Sequence, residues 1–335
     1  MKKRAFPIIA FIILFVFSSC IGDKKKDKEN NTPEIVTSSD EQTQNDTIRR
    51  CYTMNVLEKH MIKTPDLRSK MEQIEKRCQA FITQRKEGKV EDLDTIIIPT
   101  ILHVIYSNED ENISEAQIQS QINVLNQDFS KTNTDIDQIP EEFAALASDI
   151  KIHFELDSII RVSSTTTSWG TNDQMKFSAN GGSDVINPET HLNMWVCAIG
   201  GGILGYAQFP GDSPTTDGIV ISPQYFGTEG YLQSPFDKGR TTTHEVGHWL
   251  NLRHIWGDGD CSADDFVDDT PLSDTANYGC PNYPTLHCDS NDMTMNYMDY
   301  VDDNCMYMFT DGQMARMRAV FTEGGGREGF AKNLE

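Results

Sequence analysis

Two histidines four residues apart, with a glutamate between them, constrain this chain more than any other feature. The segment runs His244-Glu245-Val246-Gly247-His248-Trp249-Leu250-Asn251-Leu252-Arg253-His254. On an α-helix, residues four apart share a face, one turn apart, so His244 and His248 can aim at one metal ion. Glu245 lies beside the first ligand, placed to hold a water and badly placed to bind the metal. His254 comes six residues after His248, so the helix must stop and the chain must turn back. Asn251 is the predicted stop, because Asn tolerates the left-handed conformation better than most residues except Gly. Three neutral imidazoles leave a tetrahedral zinc with one open position, the arrangement of a hydrolytic site and not of a closed structural one. A bare pair of spaced histidines is a weak signal; the third histidine at this spacing is what sharpens it.

The net charge of −22 over 335 residues argues against a nucleic-acid partner, which needs a basic surface. The N-terminus reads as a targeting segment of 19 residues. Met1-Lys2-Lys3-Arg4 is a positive start, and Ala5–Val16 is an apolar run too short to span a bilayer comfortably. It ends in Phe17-Ser18-Ser19-Cys20, which resembles a bacterial lipobox and implies cleavage before Cys20 and lipid attachment there, against the alternative of an ordinary secretory signal; Ile21, rather than Asp, after that Cys favours an outer-membrane or cell-surface address. Residues 20–48 are polar and read as a disordered tether. Export fits the eight cysteines. Cys261, Cys280, Cys288 and Cys305 cluster near the end, where four cysteines allow three connectivities and spacing cannot choose among them.

Residues 49–92 read as a helical segment: apolar residues recur at helical spacing from Arg49 to about Arg85, broken at Pro65, and Lys86–Asp94 reads as a polar linker. Thr95–Tyr106 predicts a buried strand. Ser114, with Gln117 at the capping-box position, predicts a helix to about Phe129. Strands are expected over Ile150–Leu156, His191–Ile199, Gly205–Phe209 and Gly218–Ser222, and helices after Pro140, over Arg240–Leu250 and over Thr310–Phe321. The stretch between His254 and Thr310 is loop-rich.

Downstream of His254 lies Asn296-Tyr297-Met298-Asp299-Tyr300. Together with the histidine segment, this resembles the Met-turn of metzincin metallopeptidases. The runs His244–Asp258, Asp268-Asp269-Thr270-Pro271, Asn296–Cys305 and Phe309-Thr310 resemble more narrowly the pappalysin-like type. The pattern departs from the broad metzincin one in having Asn251 where Gly is usual. The resemblance implies an α/β (α+β) catalytic domain. Its N-terminal subdomain, 93–254, would hold a twisted, mostly parallel sheet with helices. Its C-terminal subdomain, 255–335, would be loop-rich and disulfide-stapled, with a cleft between the two. The implied activity is a zinc endopeptidase acting on proteins or peptides and made as a zymogen. The rival reading is a catalytically silent binding lipoprotein that keeps the metal site.

By position, the resemblance carries His244, His248 and His254 over as zinc ligands, Glu245 as general base and acid, and Met298 as the residue under the metal site. Tyr300 becomes the oxyanion partner, and Gly205, Tyr206 and Ala207 a strand that pairs with extended substrate. Asp303, with Asp302 as its rival, becomes the carboxylate that selects Arg, or Lys, after the cut. The resemblance also implies the disulfides Cys261–Cys288 and Cys280–Cys305. It further implies structural calcium near the oxygen-rich loop of Asp264, Asp265, Asp268, Asp269 and Thr270, whose hard donors suit that ion. Cys51, in the segment ahead of the catalytic domain, would supply a thiolate to the open metal position in the latent state, against the alternative of pairing with Cys78.

Overall fold

The computed structural model describes residues 51–90 and 94–334. The targeting segment, Cys20, the tether and Arg49-Arg50 lie outside the described residues. Two helices come first, α1 (Thr53–Lys63) and α2 (Leu67–Lys86), separated at Pro65 as expected. Strand β1 (Ile96–Tyr106) leads into α3 (Glu115–Phe129), the short α4 (Glu141–Ala144) and strand β2 (Ile152–Ser163). Strands β3 (Leu192–Val196), β4 (Gly205–Ala207) and β5 (Ile219–Ile221) follow, then α5 (Arg240–Trp249). A small hairpin of β6 (Leu286–His287) and β7 (Ser290–Asn291) and helix α6 (Asp311–Ala319) complete the order. Among the described residues no helix is long and apolar enough to cross a membrane.

The main sheet has the order β2-β1-β3-β5-β4. All pairings are parallel except β4 with β5, so β4 is an antiparallel edge. Side chains alternate between its two faces with period two. Leu102, Val104, Met194, Val196, Ile219 and Ile221 join the main core with α3 and α5. Ile105, Trp195, Cys197, Tyr206 and Val220 point the other way and pack a second cluster that takes in Val56 of α1. Burial on both faces explains why the central strands read as continuous apolar runs.

Two expectations need correction. β2 runs seven residues beyond Leu156, because pairing along the whole of β1 holds an outer strand whose side chains are half exposed and whose apolar pattern is therefore faint. Gln117 does not close a capping box. Ser114 Oγ accepts from Gln117 N, but the Gln117 amide donates to the Pro223 and Phe226 carbonyls and accepts from Tyr231 N. The full capping box forms instead at α6, between Thr310 and Gln313.

Candidate active site

Helix α5 carries the first two histidines into the core, and its end is the predicted turn. Asn251 has φ +73°. The Leu252 amide reaches back to the Gly247 carbonyl at 2.9 Å and the Asn251 amide to the His248 carbonyl at 2.9 Å, a Schellman arrangement. Arg316 of α6 clamps the turn by donating to the Asn251 carbonyl at 2.8 Å. Reversed this way, the chain brings His254 back beside His248.

Each imidazole is oriented through Nδ1. The partners are the Tyr297 carbonyl for His244 (2.7 Å), the Leu252 carbonyl for His248 (2.8 Å) and the Asp258 carboxylate for His254 (2.6 Å). That leaves the three Nε2 atoms facing one point. His248 Nε2 stands 3.2 Å from His244 Nε2 and 3.1 Å from His254 Nε2. Two imidazoles on one tetrahedral zinc, each about 2.0–2.1 Å from it, would have nitrogens about 3.3 Å apart, so the donor set fits zinc. All three histidines are buried, and desolvation, then His254, holds the pKa of His248 well below the ordinary histidine range. A neutral ring is the form that binds a metal.

The Cys51 thiol completes the cluster. The one ligand atom each from Cys51, His244, His248 and His254 lie within 4.8 Å of one another. Cys51 and Cys78 are both free thiols, so the alternative pairing is not formed. Burial, then the Glu245 charge, pushes the Cys51 thiol up; a divalent cation would reverse that preference.

Met298 lies fully buried under α5. A Cβ on Gly247 would meet its sulfur at 2.5 Å, so the glycine is what lets the helix and the Met-turn approach. Asn296 holds the turn by accepting from Met298 N and exchanging two hydrogen bonds with Gln313 of α6. The Tyr300 hydroxyl donates to the Cys51 carbonyl at 3.3 Å. β4 presents its free edge to the same segment. Tyr52 N donates to the Gly205 carbonyl (3.0 Å) and Ala207 N donates to Thr53 Oγ1 (2.8 Å). The Tyr206 ring instead turns into the second core cluster, where its hydroxyl donates to Asp173.

Comparison with known proteins places this geometry. Residues 183–322 match the model of the M43 peptidase family described as pregnancy-associated plasma protein-A. An extracellular metalloprotease of Pyricularia oryzae is 32% identical over 246 residues, 68% of this chain and 76% of that protein. The chain belongs to the M43 pappalysin family. It is a metalloendopeptidase of that family. Mature mirolysin of Tannerella forsythia, solved with a cleaved peptide, is 46% identical with a TM-score of 0.70 over 71% of this chain and 96% of that one. A Tannerella forsythia promirolysin mutant is 42% identical with a TM-score of 0.74, covering 84% of this chain and 97% of that one.

The remaining expected residues fall into three groups. Cys261–Cys288 and Cys280–Cys305 form as disulfides. Asp303 is fully buried, and its Oδ2 accepts from Lys238 N and Arg240 N at the start of α5. In the oxygen-rich loop, Thr270 Oγ1 lies within 3.0 Å of both Asp265 oxygens and of the Val267 carbonyl. Burial pushes the Asp265 carboxyl up to about 7. The other loop carboxylates turn elsewhere: Asp264 bonds Phe266 N, Asp268 pairs with Lys86, and Asp269 bonds Thr310 Oγ1 and Gly312 N.

Sequence reading missed three contributors. Thr53 donates from Oγ1 to Glu245 Oε2 at 2.7 Å and so ties that carboxylate to the leading segment. Asp258 orients His254, and Trp256 stacks on the same ring at 4.4 Å with an interplanar angle of 4°. Asp258 follows its histidine by four residues, a signal available in the sequence; nothing local marks Thr53, whose partner is 192 positions away.

Proposed function

We propose that this chain is the latent form of an exported zinc endopeptidase, held shut by residues 49–92 and selective for Arg, or Lys, after the cut. The observation that carries this is the joint occupation of the cleft by one short segment. Cys51 stands at the histidine cluster, Thr53 holds Glu245, and Tyr52 and Thr53 hydrogen-bond with the edge of β4 where substrate would pair. In the latent state the Cys51 thiolate would help the three histidines to hold the metal. A cut in the linker near residues 86–94 lets the segment leave.

In the mature enzyme Glu245 takes a proton from the attacking water and delivers it to the leaving amine. Zinc, when bound, supplies Lewis acidity at the scissile carbonyl and acidifies its water. The Tyr300 hydroxyl, which here donates to a peptide carbonyl, stabilises the developing oxyanion. Gly205 and Ala207 align the extended substrate by backbone pairing. Asp303 faces a basic side chain after the cut. Within the loop of Asp264, Asp265, Asp268, Asp269 and Thr270, Asp265 and Thr270 would hold a structural calcium ion through their oxygen donors. Cleavage before Cys20 and acylation there anchor the exported chain to a membrane.

Peptide-library cleavage by processed protein tests the reading, with chelator and zinc re-addition as controls. The expected result is zinc-dependent cutting before Arg, with Lys second, and loss of that preference in Asp303→Asn. Cobalt-substituted full-length protein should show thiolate-to-metal charge-transfer absorption that Cys51→Ala removes. Full-length protein that cuts peptides before its linker is cleaved would overturn latency.

A further inference from the structure

His60 of α1 sits between two carboxylates of the catalytic body. Its Nε2 lies 2.9 Å from Asp173 Oδ2 and its Nδ1 lies 2.5 Å from Asp212 Oδ2. The two side chains that receive it are 5% exposed, and the imidazole is 13% exposed. An ionised carboxylate only accepts hydrogen bonds, and a neutral imidazole has one donor nitrogen; both contacts are satisfied together only by the imidazolium. Protonating Asp173 instead is opposed by its neighbours. Burial alone would raise its pKa, but Lys176, 2.9 Å from its Oδ1, and His60 hold it far below the usual carboxylate range. The Tyr206 hydroxyl also donates to Asp173, so the pocket is wired to β4 of the cleft wall. Lys59, the neighbouring cation on α1, bonds Thr171 and not the carboxylates.

We propose that Asp173 and Asp212 form a cation socket on the catalytic body, that protonated His60 fills it, and that filling it sets how tightly α1 stays docked. This rests on the reading of residues 49–92 as a pro-segment. The socket lies away from the metal ligands, since His60 follows Cys51 by nine positions along a chain that is helical from Thr53. It therefore adds a hold independent of the Cys51 thiol and gives docking a pH dependence. The hydrogen bonds to Asp173 and to Asp212 raise the His60 pKa from its ordinary value to about 9. Because the docked value is raised, the stabilisation is complete below about pH 6.5 and is lost as pH rises through about 9.

The test uses full-length Glu245→Gln protein, which keeps an acceptor for Thr53 and cannot process itself. Ring signals of His60, assigned by their loss in His60→Gln, are followed by NMR against pH. Hydrogen exchange of residues 53–63, corrected for intrinsic rates, is read against α3 as an internal reference. The expected result is a His60 midpoint near 9 and protection of α1 relative to α3 that falls by about tenfold or more between pH 6 and pH 10. His60→Gln should start low and stay flat, and Asp212→Asn should lower both the midpoint and the protection. A midpoint at or below about 6.5, or pH-dependent protection that survives in His60→Gln, overturns the socket. Failure of the latent reading would register separately, as turnover by uncut protein with wild-type Glu245, whatever His60 does.

Discussion

At the scale of single residues, the metal site depends on groups that never touch the metal. Asp258 holds His254 by its Nδ1 at 2.6 Å, which fixes the tautomer and presents Nε2 to the cluster. Removing such a partner typically costs 10- to 100-fold in metal affinity, so Asp258→Asn should lose zinc to a chelating dye about 10- to 100-fold more readily while the fold persists. Asn251 is the second such residue. Its φ of +73° suits Gly at little steric cost and penalises a β-branched side chain. Asn251→Gly should change stability by less than about 1 kcal/mol, and Asn251→Val should cost about 2 kcal/mol or more, read from denaturant midpoints. That turn residue was legible in the sequence because backbone chirality is a local property. Thr53 was not, because its meaning comes from Glu245, far along the chain.

At the scale of elements, α5 is placed by three neighbours at once. Below it, Gly247 admits the Met298 sulfur; beyond its end, Arg316 of α6 holds the turn; along its length, Asp128 of α3 accepts from Thr243 and Tyr297. The clearance at Gly247 is the tightest of these. Gly247→Ala should force helix and Met-turn apart at a cost of about 1–3 kcal/mol and weaken zinc retention, measurable by thermal unfolding and metal titration. Central strands and long helices were legible because each repeats its pattern over many residues. The extent of β2 was not, since its outer part is stabilised by pairing with β1 and buries little of its own. Gln117 followed a local rule as far as the Ser114 cap and then spent its side chain on the 223–231 loop.

At the scale of the whole molecule, the loop-rich part after His254 has little regular structure to hold it, and two disulfides spanning 27 and 25 positions do so. Loop-closure arguments give about 3 kcal/mol for each. Cys280→Ser with Cys305→Ser should therefore lower stability by about 3 kcal/mol, and the loss should spread to the metal site, because Cys305 lies beside Asp303, which caps the start of α5. Unfolding followed by tryptophan fluorescence and zinc release together checks this. Taken by itself, the amino-acid sequence determined the ligand type, the helical spacing of His244 and His248, the need for a turn at Asn251 and the succession of strands and helices. These follow from backbone geometry and side-chain chemistry within a few residues. Tertiary structure alone decided that the start of α1 packs against β4, that Thr53 engages Glu245, and that Asp173 and Asp212 converge on His60. Those contacts join positions more than a hundred residues apart, and only the packing of α1 against the edge of the sheet brings them within hydrogen-bond reach.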